Sequence, residues 1–373
     1  MHVLWLSREN ELIRELKGFA RALQRAGAVL HFLHADTPPA VDIRALVERI
    51  PQQVSLIVHP EPFTVILPRG LADVAVPTLG FQCDVYAYTH RRLLYSMLFD
   101  YAAILHPGFE EPFRRAGHPG TVTLPFGIDP QEFFDSGQER IFEVASVGRL
   151  HPNLYKTRLN VLAALSREFK MNAWDRFVEF DEVPSVYRSA RIAINVPRDD
   201  YPIDVSLRFA EAMACGAMFL TRTPTEMTSL GFKENVHYVG YHDPVEVPGI
   251  VRRYLADELS RQRIACAGRD KVLREHTYDV RVAALLERIR SDRGKLLAPA
   301  RSWRPSKVRL AYLDYFAGNG EFPSARQELA AILKTGSPES WKALRLFGRS
   351  WASRFISYLR FRGTSFWPTV SGA

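Results

Sequence analysis

The chain has 373 residues, 47% apolar and 24% charged, a balance that excludes a disordered or fibrous protein. Its length predicts two domains with an added segment. The net charge of +8 lies at the end of the chain: residues 1–290 carry 35 basic and 36 acidic side chains, whereas residues 291–373 carry 14 and 5. The nearly neutral body argues against a nucleic-acid-binding protein, and the basic tail indicates a separate anionic partner.

Short apolar runs alternate with stretches of helical periodicity from the first residues onward. The predicted strands are 3–6, 29–33, 54–58, 76–81, 102–105 and 122–126. Helices are predicted over 9–25 and 43–50, and the turn-rich segment 127–138 forms a linker. Apolar strands separated by helices predict a parallel sheet that is buried on both faces.

The alternation then restarts. Strands are predicted over 142–147, 177–180, 192–196, 218–221 and 237–239, with helices over 157–169, 183–189, 207–215, 247–254, 259–274 and 280–290. Two such series predict two Rossmann-like domains, 1–130 and 139–290, that face each other across a cleft. A third segment, 296–373, should hold one helical hairpin (310–317 and 324–333) and a basic helix.

The number of cysteines and the length of the apolar runs indicate the cellular compartment in which the protein is expected. Three cysteines are too few for a disulfide framework, and their spacing matches no zinc site. The N-terminal apolar run has no cationic segment before it and predicts a strand, not a signal peptide. No run of eighteen apolar residues occurs, so we expect a cytoplasmic protein, with attachment to a membrane surface left open.

The segment SLRFAEAMACGAMFLT at 206–221 predicts a helix that ends at Gly216 and leads directly into a strand. Glu211 lies within this helix, where a carboxylate can accept hydrogen bonds from the two hydroxyl groups of a ribose. The alternative is a structural glutamate that pairs with Arg208 or caps a neighbouring group.

The stretch EAMACG at 211–216 resembles the E-A-x-A-x-G helix of the group 1 (family 4-type) nucleotide-sugar glycosyltransferases, which have the GT-B fold. Three further segments resemble that family in the same order: LPFGIDPQEF at 124–133, VGRL at 147–150 with Lys156, and EHTY at 275–278. The segments 187–195 and 207–216 most resemble its spore-maturation-protein-like (CgeB-like) branch. The resemblance covers about residues 75–290. It implies an α/β GT-B fold, a nucleotide-diphosphate sugar as donor, no further cofactor, and retention of the anomeric configuration.

The resemblance also implies the donor-binding residues. Gly148, Arg149 and Lys156 would form the phosphate site, Arg208 would lie near the sugar or phosphate, and Glu211 would bind the ribose. Gly148 lets a diphosphate approach the backbone, and the following helix offers its N-terminus. The two cations at 149 and 156 can hold phosphate oxygens, so a metal ion is not needed. The alternative for both is a solvated surface position.

The candidate catalytic residues are Asp204, His90 and His106. Relatives commonly carry an acidic residue eight positions before the ribose-binding glutamate, but this position is Ile203 here. Asp204 either takes that role at a shifted register or caps the following helix together with Ser206. In the first domain, polar residues after the strands should point into the cleft. These are Ser7, Arg8, His59, Glu61, Gln82, Asp84 and His106.

The two histidines could orient a substrate hydroxyl group. His90 could equally cap a helix, and His106 could be an ordinary loop histidine.

Residues 340–362 carry six basic side chains and no acidic one. At helical spacing one face is apolar, with Trp341, Leu344, Phe347, Trp351, Phe355, Tyr358 and Leu359. Cations collect on another side, with Lys342, Arg345, Arg349 and Arg360. Aromatic residues beside cations predict a helix that lies on an anionic membrane surface. The alternative is a helix that packs back onto the body.

Together with the resemblance, these features predict a cytoplasmic, metal-independent glycosyltransferase that acts from a nucleotide-diphosphate sugar onto an acceptor hydroxyl. Retention is implied by the resemblance alone, and association with the inner face of a membrane is left open. The acceptor is left open between a lipid-linked glycan, a polysaccharide and a small molecule. The second hypothesis is a non-catalytic GT-B protein that binds partners through its helical tail, because the first acidic residue of the family pattern is missing.

Overall fold

The computed structural model describes residues 1–12, 14–60, 66–86, 89–203 and 205–360, without the side chains of 14, 15, 90, 91 and 353–360. The candidates Glu61 and Asp204 therefore lie outside the described residues, as do the side chain of His90 and the end of the basic tail.

The first domain is built on parallel strands. They are β1 (His2–Trp5), β2 (Val29–Phe32), β3 (Ala40–Asp42), β4 (Val54–His59), β5 (Leu67–Arg69), β6 (Thr78–Gln82), β7 (Tyr101–Ile104) and β8 (Thr121–Thr123). Six of them form one sheet in the order β2-β1-β4-β6-β7-β8, whereas β3 and β5 form a small separate sheet that the sequence did not predict. Val3 and Trp5 face one apolar core and Leu4 faces the other, as expected for a sheet buried on both sides.

The described residues of this part of the chain include the helices α1 (Arg14–Arg25), α2 (Ile43–Glu48), α3 (Thr89–Ser96) and α4 (Glu110–Arg115). The α1 helix packs on one face of the sheet, where Phe19 meets Trp5 and Phe81. The opposite face carries α3, whose Tyr95 contacts Phe99. Each face of the sheet therefore has its own apolar core.

The second domain repeats the design with four parallel strands. They are β9 (Phe142–Ala145), β10 (Ala190–Asn195), β11 (Met218–Arg222) and β12 (Val239–Tyr241), in the order β12-β11-β10-β9. Its helices are α5 (Lys156–Leu165), α6 (Val183–Arg188), α7 (Leu207–Ala214), α8 (Val247–Ala256) and α9 (Glu258–Glu275).

The predicted strand at 177–180 is wrong. Phe177 and Phe180 contact each other at 5.8 Å between ring centroids and line a cavity between the domains. The outer edge of β9 bonds instead to Lys170, whose carbonyl accepts from the amides of Glu143 and Val144. A short run rich in aromatic residues has the composition of a strand, but residues 177–180 pair with no strand of the described sheets.

The chain passes between the domains at two points that lie side by side. The amide of Ile128 donates to the carbonyl of His276, and the amide of Tyr278 donates back to Ile128. A β-carbon at Gly127 would lie 2.9 Å from the His276 carbonyl oxygen, so glycine allows this close approach. The segments 124–133 and 275–278, far apart in sequence, thus form one crossing. The next helix, α10 (Tyr278–Ser291), contacts α1 of the first domain.

The C-terminal helices are α11 (Pro305–Asn319), α12 (Phe322–Lys334) and α13 (Glu339–Arg360). They form a continuation of the first domain, because α11 contributes to the core on the α3 face of the sheet. The Tyr315 ring stacks on Tyr95 at 3.5 Å, and the Tyr312 hydroxyl accepts from the amide of Leu71. The GT-B arrangement expected from the sequence, two Rossmann-like domains with a helical extension, is therefore present.

Candidate functional site

A cavity of about 230 Å³ lies between the two domains. The first domain supplies side chains that follow β6 and β7, and the second supplies segments that follow β9 and β10. The main polar lining residues are Asp84, Tyr86, His106, Arg149, Arg198 and Arg208, together with the backbone at Gly148. Ligands of open α/β sheets bind outside the carboxyl ends of the strands, and this cavity has that position.

Gly148 lies where two guanidinium groups converge. A β-carbon at this position would come within 2.8 Å of Arg158 Nη1 and of Arg208 Nη2. Arg208 Nε donates to the carbonyl of Val147 at 2.5 Å. Arg158 is buried and donates to the carbonyl of Arg149 at 2.7 Å. The backbone at 147–149 is therefore held by cations on both sides, and the absence of a side chain at Gly148 leaves room for them.

Arg198 is a further cavity residue, which the sequence reasoning missed. It binds Asp200 through two bonds of 2.8 and 2.7 Å and donates to the Tyr86 hydroxyl at 3.2 Å. The hydrogen bond to Asp200 raises the pKa of Arg198 further above its ordinary value. The described lining residues include three arginines and one carboxylate, that of Asp84. The lining is therefore net positive and attracts anions.

Two residues assigned to the donor by resemblance do not line the cavity. Lys156 is exposed at the start of α5, and its amide donates to Asp199 Oδ2 at 2.8 Å. Asp199 therefore occupies the helix N-terminus that the sequence assigned to phosphate. Glu211 is only 2% exposed, within the core of α7 beside Phe209 and Met213.

Of the described first-domain candidates, some line the cavity and others do not. Asp84 and His106 line the cavity, and His106 Nδ1 lies 2.9 Å from Glu226 Oε2. Ser7, His59 and Gln82 are buried. Arg8 donates to the carbonyls of His34 and Thr37.

His59 is a core histidine. Its Nε2 lies 3.2 Å from the carbonyl oxygen of Ile66, and its ring contacts Tyr95, Phe99 and Tyr315. Burial lowers its pKa to about 4, so the ring is neutral in the folded protein.

A larger groove of about 910 Å³ lies in the first domain beside β2 and α2. It is lined by none of the residues that carry the motif resemblance. We place the candidate site in the interdomain cavity, because the arginines converge there.

Within the described ranges, no group of three or more His, Cys, Asp or Glu side chains could hold a metal ion. No helix in the same ranges is long and apolar enough to cross a membrane.

The chain was compared with known proteins by sequence and by structure. Residues 140–287 match the protein family described as Glycosyl transferase-like. No curated protein sequence matches the chain.

Several solved structures share the architecture. HepE of Anabaena in complex with UDP-glucose is 14% identical, with a TM-score of 0.55 over 78% of this chain and 100% of that one. Sucrose-phosphate synthase of Thermosynechococcus elongatus is 13% identical, with a TM-score of 0.57 over 78% and 98% of the two chains. A glycosyltransferase of Rickettsia africae is 10% identical, with a TM-score of 0.53 over 79% and 99%. The chain has the GT-B fold of these proteins, and its second domain resembles glycosyltransferases in sequence.

Proposed function

We propose that this protein is a glycosyltransferase that moves a sugar from a nucleotide-diphosphate sugar to an acceptor hydroxyl group. The observation that carries the proposal is the convergence of Arg149, Arg198 and Arg208 on one interdomain cavity. Guanidinium groups bind phosphate oxygens through paired hydrogen bonds, and the nucleoside diphosphate gains negative charge as its bond to the sugar breaks. Support comes from the family match of residues 140–287 and from the GT-B neighbours, one of which is described with UDP-glucose.

In this proposal the phosphates lie against the backbone at Gly148 and the guanidinium groups of Arg149 and Arg208. His106 faces the sugar or the acceptor from the first domain. Lys156 and Glu211 stay assigned to the donor by resemblance. Because neither lines the cavity, the cleft must rearrange before these two side chains contact the donor. Asp204 and His90 keep their proposed catalytic roles. Retention of configuration, independence of metal ions and membership of the CgeB-like branch are part of the proposal.

Transfer and hydrolysis assays with UDP-, GDP- and ADP-sugars test the proposal. Arg208→Ala removes a charge-assisted contact of about 1.5–3 kcal/mol, so the KM for the donor should rise at least about tenfold. The matched control is Arg252→Ala, which removes an exposed arginine paired with Glu168 and should leave the KM unchanged. An unchanged KM for the donor in Arg208→Ala, or normal turnover in Glu211→Ala, would contradict the assignment of that residue. Activity lost on adding a chelator would contradict the metal-independent part.

The alternative of a non-catalytic scaffold stays open to the same experiment. A protein that binds no nucleotide or nucleotide sugar at millimolar concentration would favour the scaffold.

We further propose that α13 rests on an anionic membrane surface, on the cytoplasmic side. One face of the helix packs onto the body: Ala343 is buried against α11 and α12, and the Phe347 ring contacts Phe322 at 5.9 Å. Beside this packed face, Trp341, Leu344 and Trp351 are 77%, 43% and 50% exposed, at spacings of three and seven residues. The cations beside this stripe, Lys342, Arg345 and Arg349, are exposed as well. Membrane contact would suit a lipid-linked acceptor, one of the three acceptor classes.

Vesicle flotation tests this surface. Each cation near an anionic bilayer contributes about 1 kcal/mol, so replacing the three by serine should weaken binding to anionic vesicles about a hundredfold. Trp341→Ser combined with Trp351→Ser should also release the protein. Val245→Ser, an equally exposed apolar residue of the second domain, serves as control. Equal flotation of all variants would contradict membrane binding by α13 and would favour a helix that only packs onto the body.

A further inference from the structure

The carboxylate of Glu226 connects the two domains at the edge of the candidate site. Glu226 follows β11 in the second domain and is 7% exposed. It accepts from the Tyr201 hydroxyl at 2.9 Å and from the amide of Val205 at 3.1 Å, both within its own domain. It also contacts two groups of the first domain, His106 Nδ1 at 2.9 Å and the amide of Gly108 at 3.4 Å.

These contacts determine which nitrogen of His106 carries a proton. Burial raises the pKa of Glu226, but the hydrogen bond and charge of His106 and the bonds from Val205 and Tyr201 outweigh it and hold the pKa below its ordinary value. The carboxylate is therefore ionised and can only accept hydrogen bonds. His106 must then donate from Nδ1, and in the neutral ring Nε2 is left as an acceptor.

The same contacts require the domains to be close together. The Tyr86 ring of the first domain stacks on Tyr201 of the second at 4.7 Å, with an interplanar angle of 15°. The Phe109 ring contacts Tyr201 at 5.7 Å. A β-carbon at Gly108 would lie 3.2 Å from Glu226 Oε1, so glycine suits this approach. Separating the domains would break all of these contacts and release His106 from Glu226.

We propose that Glu226 is a positioning residue that holds His106 in the Nδ1-protonated tautomer when the domains are closed, so that Nε2 accepts a hydrogen bond from a substrate hydroxyl group. This inference rests on the proposed glycosyltransferase function and adds a link between closure and the active form of His106. Neither Glu226 nor its pairing with His106 follows from the motif resemblance.

Other aromatic and charged groups lie around His106. Tyr86 and Tyr201 contact its ring at 5.3 and 6.0 Å between centroids. The charged groups that line the same cavity are Asp84, Arg149, Arg198 and Arg208. Glu226 Oε2 lies 2.9 Å from Nδ1 of the imidazole, so removing this carboxylate should have a clear effect on His106.

The test is the pH dependence of kcat/KM in the wild type and in Glu226→Gln. A neighbouring carboxylate stabilises the protonated imidazole, so neutralising it should move the acid limb to lower pH by about one unit or more. We expect kcat to fall about tenfold, with the KM for the donor within about twofold, because the arginines are unchanged. The control is Glu328→Gln, which removes a buried carboxylate of α12 paired with Arg309 and should leave the limb in place. An acid limb that does not move in Glu226→Gln would overturn the proposal.

A second measurement does not depend on turnover. Nitrogen-15 NMR of the histidine side chains in the wild-type protein, assigned with His106→Gln, reports the tautomer directly. We expect the Nδ1-protonated form of His106 at neutral pH, and an Nε2-protonated form would overturn the proposal. Absence of transfer from every donor would instead contradict the proposed function, and the NMR result would still decide the pairing.

Discussion

Replacing Arg301 by alanine should destabilise the first domain, although this residue lies in the C-terminal extension. Arg301 donates to Asp100 from Nε at 3.2 Å and from Nη2 at 3.0 Å. Its Nη1 donates to the carbonyls of Ala72 and Val74 at 2.9 and 2.8 Å. Asp100 is fully buried, so the variant would leave a buried carboxylate without its cation.

The loss of stability in Arg301→Ala depends on the hydrogen bonds that Asp100 keeps in the variant. Breaking a buried ion pair from one side typically costs about 3–5 kcal/mol. Asp100 keeps bonds from the amide and hydroxyl of Thr78 and from the amide of Ala298, and the Arg301 side chain is 18% exposed. Both features reduce the penalty, so we expect about 3 kcal/mol, a large part of the 5–15 kcal/mol typical of a folded domain.

Urea unfolding followed by circular dichroism measures this loss as a lower midpoint at an unchanged m-value. The double variant Arg301→Ala with Asp100→Asn should lose less than the sum of the two single variants, because the buried charge is gone. Arg252→Ala, which breaks an exposed pair, should hardly move the midpoint. A decrease in the free energy of unfolding of less than about 1 kcal/mol in Arg301→Ala would refute the claim that the C-terminal extension stabilises the first domain through this ion pair.

Two further predictions concern the site and the pH response. Gly148→Ala should weaken donor binding about tenfold with little loss of stability, because the nearest atoms to the added methyl group are the ends of the Arg158 and Arg208 side chains. Donor titration measures the affinity and thermal unfolding measures the stability. The control is Gly249→Ala, whose added methyl group has no atom within 4 Å. The free energy of unfolding should fall as the pH drops from about 6.5 to 4, since His59 binds a proton only when unfolded in that range. In His59→Gln this pH dependence should be shallower by up to about 1.4 kcal/mol per pH unit. Equal slopes in the variant and the wild type would contradict the burial argument.

The parts of the fold that the sequence predicts well are those set by local pattern. The buried runs at 54–58 and 192–196 are strands because each is apolar over a strand's length and bounded by polar or turn residues. The segment 206–221 is a helix followed by a strand, as predicted, because its periodicity and Gly216 determine both ends. The segment 177–180 has the composition of a strand, but only the tertiary structure shows that no neighbour pairs with it.

The extension and the site show where sequence reasoning stops. An amphipathic helix reveals that it has an apolar side, not which surface covers it, so α11 could not be assigned to the core of the first domain. Arg198 and Glu226 carry no motif, although both follow strands of the second domain as the cleft candidates of the first domain do. Applying the same strand-end rule to both domains would have found them. Their pairing with Tyr86 and His106 depends on how the two domains meet, which local pattern does not contain.

Calorimetric titration of UDP into the wild-type protein and into Arg208→Ala tests the central claim most directly. We predict one site per chain in the wild type, binding at least about tenfold weaker in Arg208→Ala, and unchanged affinity in Arg252→Ala. If UDP is not the donor nucleotide, the same pattern should appear with GDP or ADP. No binding of any of the three at millimolar concentration, or equal binding in Arg208→Ala, would contradict the claim that the arginine-lined cleft is a nucleotide-sugar site.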